Sequence, residues 1–175
     1  MTGTTAASVH ASAVTVGNRG VLIRGPSGSG KSRLAFDLIL AGRTGQISPA
    51  VLVGDDRVYL DVRGDHLVVR PAPQLAGLIE IRGLGIRRCA FNEEAVVGLV
   101  VDLAAEEAER LPPPEALQTL INGVMIPRIP VAPNFQSLPL VVAALTTTHD
   151  ATTCASSTDC SKGISNHIRP SIATE

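Results

Sequence analysis

The sequence predicts an α/β fold, in which a single domain combines a mixed β-sheet with a phosphate-binding loop (P-loop). Three observations predict it. The 175 residues are 45% hydrophobic and 18% charged, which is typical of one globular domain with a buried core. Short apolar runs of strand length alternate with segments of helical spacing. A glycine-rich segment, Gly25 to Ser32, lies between one such run and one such helix.

The first predicted elements are two strands, a helix and a third strand. Ser8 to Gly17 alternates between apolar and polar residues, and Gly20 to Arg24 is a short apolar run, so both are predicted to be strands. Apolar residues recur at helical spacing from Ser32 to Leu40, and Gly42 is expected to end this helix. The apolar segment Ala50 to Val53 predicts a buried strand.

The remaining elements are mostly strands separated by turn residues. Three consecutive prolines, Pro112 to Pro114, break the chain before the last three of these elements. In order, we predict a hairpin of Val58 to Val62 with His66 to Val69, strands at Leu78 to Ile81 and Ala95 to Leu103, a short helix from Glu115 to Ile121, a proline-interrupted edge strand from Val124 to Val131, and a helix from Leu138 to Leu145.

The composition changes near the end of the chain. Residues 147–175 are rich in Ser and Thr and their apolar residues have no period, so residues 1–146 are predicted to form the domain and 147–175 a disordered tail. Cys89, Cys154 and Cys160 form neither a CxxC pair nor an even-numbered framework, and we expect free thiols.

Charge and hydropathy exclude several classes of partner. Fifteen Lys and Arg against sixteen Asp and Glu give a formal charge of -1, so no overall basic field exists for nucleic acid or an anionic membrane. No apolar run approaches the roughly 20 residues that span a bilayer, and Met1 to Ser8 lacks the pattern of a signal peptide. We therefore expect a cytoplasmic protein without nucleic-acid or membrane partners.

The strongest functional signal is the loop Gly25-Pro26-Ser27-Gly28-Ser29-Gly30-Lys31-Ser32, which fits the pattern G-x-x-x-x-G-K-[ST]. Its glycines let backbone N–H groups converge on a polyphosphate at the positive end of the following helix. In this pattern Lys31 reaches the β- and γ-phosphates, and the Ser32 hydroxyl binds Mg²⁺. The loop therefore predicts a site for ATP and Mg²⁺.

Acidic residues follow the next buried strand. Asp55 and Asp56 are adjacent, so their side chains are expected to project to opposite sides of the backbone. One carboxylate could hold the metal while the other accepts a proton from an incoming hydroxyl. A polar turn is the alternative interpretation of Gly54-Asp55-Asp56.

Three further groups are candidates for the site, each with a structural alternative. His10 could approach the phosphates by strand adjacency, or could be a structural histidine. Glu80 and Arg82 precede a turn with two glycines, which suits metal binding and substrate clamping or a surface hairpin. Arg110 could neutralise charge during transfer, or could be an exposed arginine at a helix end.

The same residues resemble the C-terminal catalytic domain of the HPr kinase/phosphorylase family, and the resemblance extends from Ser8 to Leu145. It implies a fold of the phosphoenolpyruvate-carboxykinase-like type and an ATP- and Mg²⁺-dependent enzyme that phosphorylates a serine of the phosphocarrier protein HPr. It also implies the reverse reaction, in which inorganic phosphate yields pyrophosphate. The segments that resemble the family are His10, the loop, Asp55-Asp56-Arg57-Val58 and Leu78-Ile79-Glu80-Ile81-Arg82-Gly83-Leu84-Gly85-Ile86.

The resemblance also implies roles for individual residues. Lys31 would bind phosphate, and Ser32 and Glu80 would be magnesium ligands. His10 and Arg110 would be partners of the transferring group. Asp56, with Asp55 beside it, would accept the proton in the forward reaction and donate it in reverse.

The sequence departs from the family pattern at two places. Arg33 follows the loop serine where the family usually has Glu, and Pro130 to Phe135 lacks an arginine associated with dephosphorylation. We therefore expect kinase activity ahead of phosphorylase activity. The chain resembles a short form without the family's N-terminal domain, and the resemblance implies a homo-oligomer, typically a hexamer.

Two other functions stay open at this point. One is a regulatory module that binds ATP without transfer. The other is a small-metabolite P-loop kinase, although Arg82, Arg87 and Arg88 are a sparse match to an arginine-rich lid. Guanine specificity is not supported, because no Asn-Lys-x-Asp occurs.

Overall fold

The computed structural model describes residues 8–148, which contain eleven strands and two α-helices. No helix in this range is long and apolar enough to cross a membrane. The elements are β1 (Ser8–Val9), β2 (Ser12–Val16), β3 (Arg19–Arg24), α1 (Lys31–Arg43), β4 (Ala50–Gly54), β5 (Val58–Arg63), β6 (His66–Pro71), β7 (Leu78–Ile81), β8 (Gly85–Arg88), β9 (Ala95–Leu103), β10 (Gln118–Ile121), β11 (Val124–Val131) and α2 (Ser137–Thr146).

Nine of these strands form one mixed sheet, which confirms the prediction of an α/β domain with a mixed sheet. Its main path runs β1-β5-β6-β9-β3-β2-β4, and β11 joins β9 while β10 pairs with β11. The pairs β3 with β9 and β9 with β11 are parallel, and the other pairs in the sheet are antiparallel. The remaining strands, β7 and β8, form a separate hairpin.

The core lies on both faces of the sheet, because side chains on each central strand alternate between the two faces. Along β3, Val21 and Ile23 pack with the helices, whereas Leu22 packs into a second cluster on the opposite face. Both clusters consist of fully or nearly fully buried side chains. The carboxyl end of β3 is thereby fixed, and the loop that follows begins from a rigid strand.

Most predicted strands and both long helices are confirmed, with four corrections. The strand predicted from Ser8 to Gly17 is divided at His10 and Ala11, because β1 pairs with β5 whereas β2 pairs with β3 and β4. The helix predicted from Glu115 to Ile121 is wrong: a 3₁₀ turn covers Pro114–Leu117 and the strand β10 follows. Because β11 pairs with β10 as well as with β9, it is not the predicted edge strand. Asn122 adopts a φ of 50° in the tight turn to β11, and its Asn-Gly dipeptide is the hairpin signal that the proline run obscured.

The fourth correction concerns the end of α1. Gly42 does not end the helix, which continues to Arg43. A Cβ atom at Gly42 would lie 2.6 Å from the backbone N of Ala50, so glycine allows α1 to approach the start of β4. Close helix–strand packing therefore explains this glycine.

We expect Gly42→Ala to lower the free energy of unfolding. Alanine favours a helix interior by about 1 kcal/mol, but a Cβ pressed against backbone costs about 1–3 kcal/mol, and the clash should dominate. Urea unfolding followed by circular dichroism should show a loss of up to about 2 kcal/mol by the same balance. Arg33→Ala is the control, because that side chain lies on α1 and is 87% exposed. Unchanged stability of Gly42→Ala would contradict the packing argument.

The predicted tail, apart from Thr147 and Thr148, lies outside the described residues, as do Cys154 and Cys160. Within residues 8–148, Cys89 is a free thiol, as predicted.

Candidate active site

The glycine-rich loop, Gly25 to Ser32, joins the carboxyl end of β3 to the amino end of α1. Gly28 and Gly30 have φ angles of 79° and 94°, which residues with a Cβ atom rarely adopt. The first turn of α1 contains no acidic residue, and no side chain caps it. The first backbone hydrogen bond of the helix is donated by the N–H of Leu34 to the carbonyl oxygen of Gly30, at 2.9 Å. The amides of Lys31, Ser32 and Arg33 are therefore available to an anion, together with the positive end of the helix dipole.

Lys31 lies inside this loop. Its side chain is 6% exposed, and Nζ donates hydrogen bonds to the carbonyl oxygens of Gly25 at 2.9 Å and Pro26 at 3.0 Å. Burial lowers the pKa of Lys31 below its ordinary value of 10.5, while the charges of Asp55 and Asp56 oppose that shift. The ammonium group of Lys31 therefore interacts electrostatically with both carboxylates.

Asp55 is buried behind the loop, with 3% exposure. Its Oδ1 accepts hydrogen bonds from Ser32 Oγ at 2.9 Å and from Ser12 Oγ at 2.5 Å. Its Oδ2 accepts one from the backbone N–H of Glu80 at 3.1 Å. Three donors from β2, α1 and β7 therefore converge on this carboxylate and fix its orientation.

Asp56 has the opposite environment. Its φ is 66°, in the left-handed region, and its side chain is 63% exposed. Oδ1 lies 3.3 Å from Nε2 of His10, which is 51% exposed and occupies the break between β1 and β2. The backbone turn therefore separates the two aspartates into one buried carboxylate and one that solvent or a substrate can reach.

The other predicted residues are less closely tied to this centre. Glu80 contributes its backbone N–H to Asp55, and its own side chain is exposed. Glu80 and Arg82 belong to the β7–β8 hairpin, the alternative that the sequence left open. Arg110 is exposed in the irregular segment after β9 and forms no side-chain hydrogen bond or ion pair with the described residues.

The residues present fit a magnesium ion that arrives with a nucleotide. Within the described part of the chain, no three His, Cys, Asp or Glu side chains form a metal cluster. Mg²⁺ usually binds one or two protein oxygens together with substrate phosphate oxygens. The Ser32 hydroxyl at the end of the loop can supply one such oxygen, and the Asp55 carboxylate beside it accepts its hydrogen.

A second charged cluster was missed by sequence reasoning. Arg24, the last residue of β3, donates from Nε and Nη2 to the two carboxylate oxygens of Asp102, both at 2.7 Å. Arg128 donates to Asp102 at 2.5 Å and also to Glu107. Because its oxygens are engaged by guanidinium groups, Asp102 anchors the strand that leads into Gly25. The only sequence signal is a charge ending the long apolar run of β9.

We expect Asp102→Asn to destabilise the domain in a pH-dependent way. Burial alone would raise the pKa of Asp102, but hydrogen bonds from Arg24 and Arg128 hold it below the ordinary value of 3.8. A lowered folded-state pKa contributes stability above the unfolded value, and this stability is lost as the pH falls through the folded value. Losing the charge should cost about 2–3 kcal/mol at pH 7, and this cost should shrink as the pH falls below the unfolded value and through the lowered folded-state pKa.

Urea unfolding of the wild-type protein and of Asp102→Asn, at pH 7 and at pH 3, measures how much the substitution lowers the free energy of unfolding at each pH. Glu94→Gln is a matched control, because the Arg63–Glu94 pair spans 2.9 Å but both side chains are about half exposed. Such a pair contributes about 0–1 kcal/mol. An equal loss for Asp102→Asn at both pH values would contradict the assignment.

The mixed sheet and the glycine-rich loop at its carboxyl edge define the chain as an α/β domain built to present a helix amino terminus. The model of one family, described as the HPr serine kinase C-terminal domain, matches residues 3–161. The chain belongs to this family.

Named relatives agree with this assignment. The HPr kinase/phosphorylase of Mycoplasma mycoides is 41% identical over 112 residues, which are 60% of this chain and 34% of that protein. The HPr kinase/phosphorylase of Limosilactobacillus reuteri is 35% identical over 136 residues, 71% of this chain and 40% of that protein. The chain therefore spans well under half the length of these relatives.

A solved structure is similar as well. The HPr(Ser) kinase/phosphatase from Coxiella burnetii matches with a TM-score of 0.63 and 26% identity. The match covers 79% of this chain and 87% of that one.

Proposed function

We propose that this domain transfers the γ-phosphoryl group of ATP to a serine hydroxyl of an HPr-like phosphocarrier protein. The proposal depends on one observation: Asp56 has an exposed carboxylate whose charge acts on Lys31, the buried lysine of the glycine-rich loop. Family membership and the names of the relatives support the choice of HPr as the acceptor.

The loop would bind the nucleotide. Its free amides and the Lys31 ammonium supply positive charge at the phosphates, and Lys31 already bonds to carbonyl oxygens within the loop. Magnesium would be held by Ser32 and Glu80, and its charge would neutralise charge that develops on the phosphate oxygens during transfer. Asp55 would orient the Ser32 hydroxyl, and Arg110 would add positive charge near the transferring group.

Asp56 would act as the general base that accepts the proton of the serine hydroxyl. As the serine oxygen forms its bond to the γ-phosphorus and the bond to ADP breaks, the hydroxyl proton passes to Asp56. His10, at 3.3 Å from Asp56, would hold this carboxylate in position. In the reverse reaction inorganic phosphate would attack the phosphorus of phosphoserine and the bond from phosphorus to the serine oxygen would break, giving pyrophosphate, while Asp56 returns the proton to the serine oxygen.

The test uses the full chain with γ-labelled ATP, Mg²⁺ and purified HPr. Acid-stable label on HPr supports the proposal, and HPr with its acceptor serine replaced by alanine is the control. Label on a small molecule alone would favour a metabolite kinase, and ATP binding without label would favour a regulatory module. Adding phosphate to phosphorylated HPr and measuring pyrophosphate tests the reverse reaction, and light scattering tests the expected homo-oligomer, including a hexamer.

A further inference from the structure

Ser12 is a buried polar side chain that the loop motif does not include. It lies in β2, has no exposed surface, and is separated from Asp55 by 43 positions in the sequence. Its Oγ lies 2.5 Å from Oδ1 of Asp55. A buried hydroxyl is costly unless it is hydrogen-bonded, so this contact accounts for a serine among apolar neighbours.

The direction of the hydrogen bonds follows from the chemistry of the groups. An ionised carboxylate can only accept, so Ser12 and Ser32 both donate their hydroxyl hydrogens to Oδ1 of Asp55. The hydrogen of Ser32 is thereby directed toward Asp55. The lone pairs of Ser32 are left on its other side, where an oxygen ligand for a cation is needed.

Ser12 determines how firmly Asp55 holds that geometry. The N–H of Glu80 fixes only Oδ2, at 3.1 Å, and Ser32 is itself the group to be oriented. The remaining fixed donor to Oδ1 is Ser12, on a fully buried strand. Without it, the carboxylate could rotate about Oδ2, and the Ser32 hydroxyl could turn its hydrogen toward the cation.

We infer that Ser12 is a positioning residue that acts through Asp55 to orient the Ser32 hydroxyl for a nucleotide-bound divalent cation. This inference rests on the proposed function for the identity of the nucleotide. It assigns to β2, outside the glycine-rich loop, a part in cation binding.

The experiment measures ATP binding by titration calorimetry on the full chain, in Mg²⁺ and in EDTA, without HPr. For Ser12→Ala we expect the dissociation constant in EDTA to stay within twofold of wild type. The gain in affinity that Mg²⁺ provides should fall about tenfold, which corresponds to about 1.4 kcal/mol. Ser12→Cys keeps the size but donates weakly, and should show an intermediate loss.

Thr15→Val is the matched control. Thr15 is another largely buried hydroxyl of β2, and its Oγ1 contacts the carbonyl oxygen of Val51 at 3.3 Å instead of an aspartate. It should lose thermal stability while keeping the full Mg²⁺ effect. An undiminished Mg²⁺ effect in Ser12→Ala, or an equal loss in Thr15→Val, would overturn the inference.

Two further outcomes are decisive. If Ser12→Ala does not fold, Ser12→Cys alone decides, and a wild-type Mg²⁺ effect in that variant would overturn the inference. If the wild-type chain binds Mg²⁺ with ATP but labels no HPr, the proposed acceptor fails while the binding data still decide the role of Ser12.

Discussion

Replacing Asp56 by Asn is expected to lower the rate of phosphoryl transfer to HPr by about 10²- to 10⁴-fold, the usual contribution of a general base. The variant keeps the size of the side chain, and Asn tolerates the left-handed backbone that Asp56 adopts at φ 66°. It removes the negative charge and, with it, the ability to accept the proton. Because the side chain lies outside the loop and is 63% exposed, ATP affinity and thermal stability should remain close to wild type.

Single-turnover transfer from labelled ATP, combined with titration calorimetry, separates chemistry from binding. Asp65→Asn is a close control, because Asp65 also lies 3.3 Å from a histidine nitrogen, that of His66, and is 91% exposed on the β5–β6 hairpin. Its activity should match wild type. Activity above one tenth of wild type in Asp56→Asn would remove Asp56 from the proposed role.

The second large effect is expected for Lys31→Met. Methionine is unbranched and flexible, so it can fill the 6% exposed site, but it brings no charge and no donor. The phosphates lose their buried ammonium partner, and the carbonyl oxygens of Gly25 and Pro26 lose their hydrogen bonds. We expect ATP affinity to fall at least about tenfold and transfer at least about 10²-fold, as for loss of a positioned electrostatic group.

Arg43→Met provides the comparison for Lys31→Met. It removes one positive charge from the opposite end of the same helix, where the side chain is exposed. Calorimetry should show wild-type ATP affinity in this variant. If both variants lose affinity equally, net charge and not the position of Lys31 would explain the effect.

Local patterns were enough to predict the glycine-rich loop and the strand that precedes the paired aspartates. A single short segment encodes each of these features, through apolar runs and glycine spacing. The contrast between Asp55 and Asp56 was only partly predictable. Alternation places the side chains apart, but their burial depends on the φ of Asp56 and on the irregular register between β2 and β4.

Contacts between distant strands could not be predicted. Ser12 meets Asp55 only because β2 lies between β3 and β4 in the sheet, and Arg24 meets Asp102 only because β3 pairs with β9 in that register. A one-residue shift in either pairing would turn these side chains to the other face. Strand order and register are properties of the whole sheet, so no local sequence motif predicts them.

The anchoring of Arg24 by Asp102 has a consequence for motion. The entrance to the glycine-rich loop is held by a bidentate ion pair, and its exit is held by the first turn of α1 and the Ser32–Asp55 bond. Between these two ends of the loop, the exposed residues are Pro26, Ser27 and Gly28, whereas Gly25, Ser29 and Gly30 are partly buried. Nucleotide binding should therefore reshape a three-residue tip within a stationary frame, and hydrogen exchange at the amides of Ser27 and Gly28 should slow when the phosphates bind.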